Sequence, residues 1–234
     1  ALHPRHAYGI SGSSEVLGLL SDKPADAEGL VTLRWGEGLW HIGGPGQNGS
    51  NALAWIVDCL DAGKRPFAER IDALLEPPAA GRPLLFHPYL HGERTPFWDG
   101  NLRGAFLGLT ARHGPGDMVR AVMQGVAFLN RLVLERAEEA AGIRAPELRI
   151  AGGGGRNAAW NQIRADILGR PVIAASEPEL GRSGGRAGAR GGRGRDVDVS
   201  VAAEAISPRP VRFEPEAGVG LYDKAAIKFG YAGM

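Results

Sequence analysis

Hydrophobic and polar positions in the first fifth of the chain form short runs separated by glycines, a pattern that predicts β-strands. "HAYGISGSSEVLGLLSD" (6–22) is predicted to be a strand, a glycine turn and a second strand. "LVTLRW" and "GLWHIGG" continue as two further short strands around a glycine-bearing turn.

Helical spacing of apolar residues begins near residue 48. "NGSNALAWIVDCLDAG" predicts a helix with Asn48 or Ser50 as its N-cap and Gly63 at its end. "PFAERIDALL" predicts a second helix that stops at Pro77–Pro78, and "GDMVRAVMQGVAFLNRLVLERAEEAAG" predicts the longest one, closed by Gly142. "AAWNQIRADILG" predicts a fourth helix.

Strand patterns alternate with these helices in "RPLLFHPYL", "RGAFLGL", "ELRIAGG" and "PVIAA". Alternation of strands and helices indicates an α/β domain with a partly parallel sheet.

Composition and the distribution of apolar residues narrow the class of protein further. The 234 residues include 36 glycines, about twice the usual share, and a single cysteine, Cys59, which excludes an internal disulfide. Cys59 lies in a helical pattern, where a small buried residue is expected. The sequence contains neither an apolar run of membrane-spanning length nor the anatomy of a signal peptide at its start, so we predict a cytoplasmic protein without a membrane partner.

The net charge of +1 conceals a local excess of arginine. "GRSGGRAGARGGRGR" (181–195) contains seven glycines and five arginines in fifteen residues, a composition that neither holds a helix nor buries apolar surface. The alternatives for the anomalous segment 181–200 are RNA binding through its arginines, a loop, or a local reading-frame error. RNA binding is the minor one, because nothing outside this segment favours a nucleic-acid partner.

Two glycine-rich stretches have chemistry suited to phosphate. "YGISGSSEV" (8–16) is a turn whose backbone N–H groups can form an anion-binding nest, and "GGGGRN" (152–157) precedes a helix N-terminus. Neither is a Walker A loop or a dinucleotide fingerprint. The alternatives are a tight hairpin for the first stretch and a helix-packing turn for the second.

Together with the segments between them, these stretches resemble the C-terminal domain of the FGGY carbohydrate kinases. "GAFLGLTARHGPGDMVRAVMQ" (104–124) is similar to the second signature of that family, and "PYLHGERTPFWDGNLRG" (88–104) to its Gly-Glu-Arg-x-Pro loop. "GGGGRNAAWNQIRADILGRPV" looks like its adenosine-binding motif. The similarity covers residues 1–180 well and returns from "VAAEA" (201–205) onward.

The resemblance implies a ribonuclease H-like, actin-like ATPase domain, a mixed sheet flanked by helices, occupying residues 1–234. It implies phosphorylation of a sugar or sugar acid with ATP and Mg²⁺. The sugar and the catalytic aspartate are expected on an N-terminal domain that these residues do not include, so no catalytic residue is assigned here. The residues that match nucleotide-contacting positions of the family are Gly9, Ser11, Gly12, Gly49, Gly153, Gly154 and Asn157.

Several alternatives remain beside this interpretation. The chain is either half of a sugar kinase or a non-catalytic actin-like nucleotide-binding module, and a homodimer is left open.

Ile10 stands where the family has threonine, so a phosphate-facing hydroxyl is lost unless Ser11 or Ser13 replaces it. We expect Trp160 to pack in the core and Glu93 with Arg94 to form a structural ion pair. No metal site is predicted, since the six histidines show no ligand spacing.

Overall fold

The computed structural model describes residues 4–36, 38–77, 79, 84–174 and 210–216. In these ranges the strands are β1 (Ala7–Ser11), β2 (Glu15–Ser21), β3 (Val31–Gly36), β4 (Leu39–Pro45), β5 (Leu85–His87), β6 (Ala105–Leu107), β7 (Leu148–Ala151), β8 (Val172–Ala174) and β9 (Val211–Phe213). The α-helices are α1 (Ser50–Leu60), α2 (Phe67–Leu75), α3 (Pro115–Ala141) and α4 (Ala158–Leu168), and a short 3₁₀ helix spans Gly153–Arg156.

Seven of these strands form one mixed sheet in the order β3-β4-β2-β1-β7-β8-β9, and β5 pairs with β6 in a small second sheet. β1 runs parallel to β7, and β7 runs parallel to β8, while the other pairs are antiparallel. The predicted α/β class with a partly parallel sheet is therefore confirmed.

The core lies where α3 and α4 pack on one face of the large sheet. Strand β2 contributes Leu17 and Leu19, which are fully or almost fully buried beside Val133 and Leu134 of α3. The first half of α3 packs in a second cluster with α1, α2 and the β5 strand, and its middle residues belong to a third cluster. Helices α3 and α4 are thus the two elements that all three clusters share.

The predicted ends of α1 are wrong at both sides. Its N-cap is Gly49 without a side-chain cap, and its C-cap is Asp61 rather than Gly63. The side chain of Asn48, the predicted cap, bonds to a different loop instead: its amide donates to the Gly92 carbonyl at 2.8 Å. The first helical N–H groups bond instead to the β1–β2 turn, as described below.

The expectation of a buried Cys59 is also wrong, since this residue is exposed. The buried stripe of α1 consists of Ala52, Leu53, Ile56 and Val57, and Cys59 falls outside it. The spacing of apolar residues predicted the helix correctly, but a lone small residue did not reveal which face it occupies.

Strand β9 was not predicted. It pairs antiparallel with β8, and Phe213 packs against the main core cluster. The segment 181–200, with its arginines and glycines, lies outside the described residues. In the part of the chain that the structure describes, none of the helices combines the length and the apolar character that crossing a membrane requires.

Candidate functional site

The two glycine-rich stretches come together at one edge of the sheet. Strands β1 and β7 are parallel neighbours, with Gly9 paired to Ile150 and Ile10 paired to Ala151. Because both strands point the same way, the β1–β2 turn and the 152–155 loop leave the sheet side by side. Sequence positions almost 150 apart thus form one surface.

The four consecutive glycines have different surroundings. A side chain on Gly152, Gly154 or Gly155 would collide with the protein itself: the nearest atoms to a built Cβ are the Ser11 carbonyl oxygen at 2.5 Å, the Ser11 Oγ at 2.0 Å and the Ile150 Cγ2 at 2.9 Å. Gly152 also has a left-handed φ of 92°. Only Gly153 faces open space, with no atom within 4 Å of a built Cβ.

The β1–β2 turn is compact, and its first serine faces inward. Ser11 is fully buried, and its hydroxyl donates to Glu15 Oε1 at 2.6 Å. Gly12 donates its N–H to the Ser14 carbonyl at 3.0 Å, while Ser13 is exposed. Of the two serines considered as replacements for the missing threonine hydroxyl, Ser13 is therefore the one that solvent reaches. The exposed side chain of Ile10 lies beside this turn.

The glycines in and near this turn differ in how much room each has for a side chain. A Cβ on Gly9 or Gly12 would meet other atoms at 3.5 Å, which is ordinary contact. A Cβ on Gly49 would lie 2.9 Å from the Ser14 carbonyl carbon, so Gly49 is needed for close packing on the turn.

The N-terminus of α1 is attached to the same turn. The Ser50 and Asn51 N–H groups donate to the carbonyl oxygens of Gly12 and Ser13, each at 3.0 Å. These bonds satisfy helix-end donors that side-chain caps would otherwise satisfy. The loop before α1 is thereby fixed to the turn as a third wall of the site.

Glu93 and Arg94 support this third loop through separate partners. The buried Glu93 carboxylate accepts from the Gln47 N–H and from Asn48 Nδ2, the latter at 3.0 Å. The Arg94 guanidinium donates to the Gly46 carbonyl. The expected pair with each other is therefore wrong, because both side chains bond instead to residues of the 46–48 loop.

Asn157 and Trp160 belong to the start of α4. The Asn157 side-chain oxygen accepts from the Trp160 N–H at 2.8 Å and so caps the helix. Trp160 is fully buried, and its indole N–H donates to the Met123 carbonyl at 3.0 Å. Core packing of Trp160 is confirmed, and the carbonyl oxygen of the Asn157 amide already has an internal partner.

A buried ion pair behind the two loops was missed by the sequence analysis. Glu15 and Arg164 are joined at 3.1 Å, with 5% and 0% of their side chains exposed. Burial raises the pKa of the Glu15 carboxyl, although the Arg164 charge opposes that shift, and burial lowers the pKa of Arg164.

A sequence signal for this pair did exist. Glu15 has the same strand parity as buried Leu17 and Leu19, and Arg164 lies four residues from both Trp160 and Leu168 on α4. One charge on each of two apolar faces indicates that the two pair with each other, since single buried charges are very costly.

Comparisons with known proteins agree with this architecture. Residues 7–185 match the family described as "FGGY family of carbohydrate kinases, C-terminal domain". The gluconokinase of Bacillus subtilis (strain 168) is 34% identical over 173 residues, which are 69% of this chain and 34% of that protein. The xylulose kinase of Escherichia coli (strain K12) is 31% identical over 148 residues, 63% of this chain and 30% of that protein.

A solved structure shows the same fold. The gluconate kinase from Lactobacillus acidophilus superposes with a TM-score of 0.81 at 25% identity, covering 96% of this chain and 46% of that one. The mixed sheet with its packed helices is therefore of the actin-like ATPase class. The chain belongs to the FGGY family of carbohydrate kinases, and the matched region is the C-terminal domain of that family. It spans about a third of the length of the curated relatives it matches.

Proposed function

We propose that this chain is the nucleotide-binding part of an ATP-dependent sugar kinase, with the nucleotide seated across the β1–β2 turn and the 152–155 loop. The observation that carries the proposal is the open backbone at Gly153, directly beside a turn with an exposed hydroxyl at Ser13. A purine or a ribose can lie against such a bare backbone without meeting a side chain. A phosphate chain needs the donors of a turn.

The chain's own residues would divide the work of binding. The backbone at Gly153 offers the adenosine a surface without a side chain, and the nearby start of α4 adds a favourable partial charge for anions. Ser13 and the turn backbone would hold the phosphates. Mg²⁺ would accompany the nucleotide, bound by phosphate oxygens.

Phosphoryl transfer depends chiefly on positioning and on donors that stabilise the charge of the transferred group. In this proposal the chain supplies the nucleotide side of the reaction. The acceptor hydroxyl of a sugar or sugar acid, and the base that deprotonates it, come from the rest of the kinase. The names of the similar gluconokinase and xylulose kinase favour these two substrate classes.

The test is a titration of the chain with ATP or ADP, followed by NMR, on the wild type and on Gly153→Val. A half-open site supports a Kd around 1 mM, about −4 kcal/mol. We expect Gly153→Val to weaken binding at least tenfold without unfolding, because its side chain would fill the space of the ligand while touching no part of the protein.

Gly100→Val is the matched control. Gly100 also has no atom within 4 Å of a built Cβ, and it lies in a loop outside the two glycine-rich stretches. Chemical-shift changes that persist unaltered in a folded Gly153→Val protein would show that the glycines serve only the turn. Thermal melts of all three proteins establish that they are folded.

A further inference from the structure

One arginine of α4 is bonded to both loops of the proposed nucleotide site. We infer that Arg164, together with Glu15, is a positioning pair that sets the spacing between the β1–β2 turn and the 152–155 loop. The inference rests on the proposed function, since it concerns how the two walls of that site are held. Both side chains are buried behind the two loops, with 5% of Glu15 and 0% of Arg164 exposed.

The geometry of Arg164 supports this role. One guanidinium nitrogen, Nη1, donates to the Gly154 carbonyl at 3.2 Å and to Asn161 Oδ1 at 3.0 Å. The other, Nη2, donates to Ser11 Oγ at 2.9 Å and to Glu15 Oε1 at 3.1 Å. Since the guanidinium is planar and rigid, fixing one loop on each nitrogen fixes the distance between them.

The surroundings of Arg164 restrict its movement. Its guanidinium carbon lies 4.0 Å from the centre of the buried Trp160 ring. Asn161, which accepts from Arg164, donates its own side-chain amide to the Gly155 carbonyl at 2.7 Å. Two consecutive carbonyls of the glycine loop are therefore bonded, one directly and one through Asn161, to the same buried side chain.

Glu15 extends the arrangement to the third wall. Its carboxylate accepts from Ser11, and its backbone carbonyl accepts from the Gly46 N–H at 2.7 Å. The turn, the loop before α1 and the glycine loop are thus connected through one residue pair.

Stability alone is a weak explanation for this pair. The free energy needed to remove two charges from water is about as large as the attraction between them in the protein interior. Apolar residues of similar volume therefore often replace such pairs without loss of stability. The chain offers a comparison in Arg170 and Glu138, which are also mostly buried and also pair. That pair holds the Ala145 backbone beyond the end of α3 and has no bond to either loop.

The experiment replaces each pair by apolar residues. Glu15→Leu/Arg164→Met removes both charges at once, so that neither is left buried alone. Glu138→Leu/Arg170→Met is the matched control. Two quantities are measured on folded protein: ADP affinity by NMR titration, and hydrogen exchange of the amides in residues 12–14 and 152–155.

We expect the Glu15→Leu/Arg164→Met protein to bind ADP at least tenfold more weakly and to exchange the amides of both loops at least tenfold faster. The control should remain within about twofold of wild type in both. Arg164→Lys keeps the charge but not the two-sided geometry, and it should give intermediate values. This variant also keeps the test open if the double substitution does not fold.

Unchanged affinity together with unchanged loop exchange, in any folded variant of the first pair, would overturn the inference. Equal effects from both pairs would also overturn it, since they would reflect general destabilisation. Failure of the wild type to bind ADP would count against the proposed function instead. The exchange measurement would still decide whether Arg164 holds the loops.

Discussion

At the scale of single residues, His41 is a buried titratable group away from the glycine loops. It is 3% exposed, and its Nδ1 lies 2.9 Å from the Tyr8 hydroxyl. The Trp35 ring packs beside both, with its centre 5.7 Å from the centre of the His41 ring. Burial lowers the pKa of His41, because its charged form loses water that this aromatic cluster does not replace.

The lowered pKa predicts a loss of stability in acid. An unfolded histidine takes up its proton near pH 6.5, but the folded one does so only at lower pH. The unfolded state therefore binds more protons in that interval, and the free energy of unfolding falls as the pH drops from about 6.5 through the folded pKa. The loss is about 1.4 kcal/mol for each pKa unit between the two states.

His41→Gln should remove this part of the pH dependence, as measured by urea unfolding between pH 8 and pH 5. His91→Gln, at an exposed position, serves as control and should keep the wild-type slope. An identical slope in the wild type and in His41→Gln would contradict the prediction.

At this scale, the sequence could predict which residues form the loops but not which atoms surround each residue. The sequence predicted two glycine-rich loops suited to phosphate, but not that only Gly153 of the four glycines faces open space. That distinction depends on Ser11 and Ile150, which arrive from β1 and β7. The inward direction of the Ser11 hydroxyl depends in the same way on Glu15 and Arg164.

At the scale of elements, α3 combines a good helical pattern with glycines at its closest contacts. A Cβ on Gly125 would lie 2.2 Å from the Phe86 carbonyl oxygen of β5, and a Cβ on Gly116 would lie 2.3 Å from the Leu74 carbonyl oxygen of α2. Both neighbours are backbone atoms. These glycines therefore allow the small sheet and α2 to approach the helix.

Gly125→Ala should destabilise the protein by about 1–3 kcal/mol, in the range of overpacked cores. Helix propensity alone predicts the opposite, a gain of about 1 kcal/mol. Urea denaturation of this variant, with Glu139→Ala at an exposed position of the same helix as control, decides between the two. A stabilised Gly125→Ala protein would mean that β5 moves aside at little cost.

The elements themselves were largely predictable, because the period of apolar residues differs between strands and helices. The ends of α1 were not, since its first N–H groups bond to Gly12 and Ser13 from a distant turn. Strand β9 was missed for a similar reason. It is three residues long and exists through its pairing with β8.

At the scale of the whole molecule, the proposed division of work leads to a prediction about turnover. A polypeptide of these 234 residues should bind ATP but not phosphorylate gluconate, xylulose or glycerol. The acceptor site and the base are assigned to other parts of the kinase, and without them the positioning and charge stabilisation that accelerate the reaction by many powers of ten are lost.

A coupled assay of ADP release, run with each acceptor, measures this directly. The NMR titration on the same preparation confirms that the nucleotide is bound. Sustained, acceptor-dependent ADP release would place the catalytic base within this chain and would refute the division proposed here.

The hydrogen bond from Arg164 to Ser11 joins residues 153 positions apart in the sequence. Contacts of this separation are costly to form, because closing so long a loop reduces the conformational entropy of the chain. A chain in which β1 and β7 are not paired does not bring the β1–β2 turn and the 152–155 loop together for a ligand. A nucleotide bound there would therefore stabilise every state in which both loops are in place, and its concentration would oppose global unfolding and the opening of either loop alike.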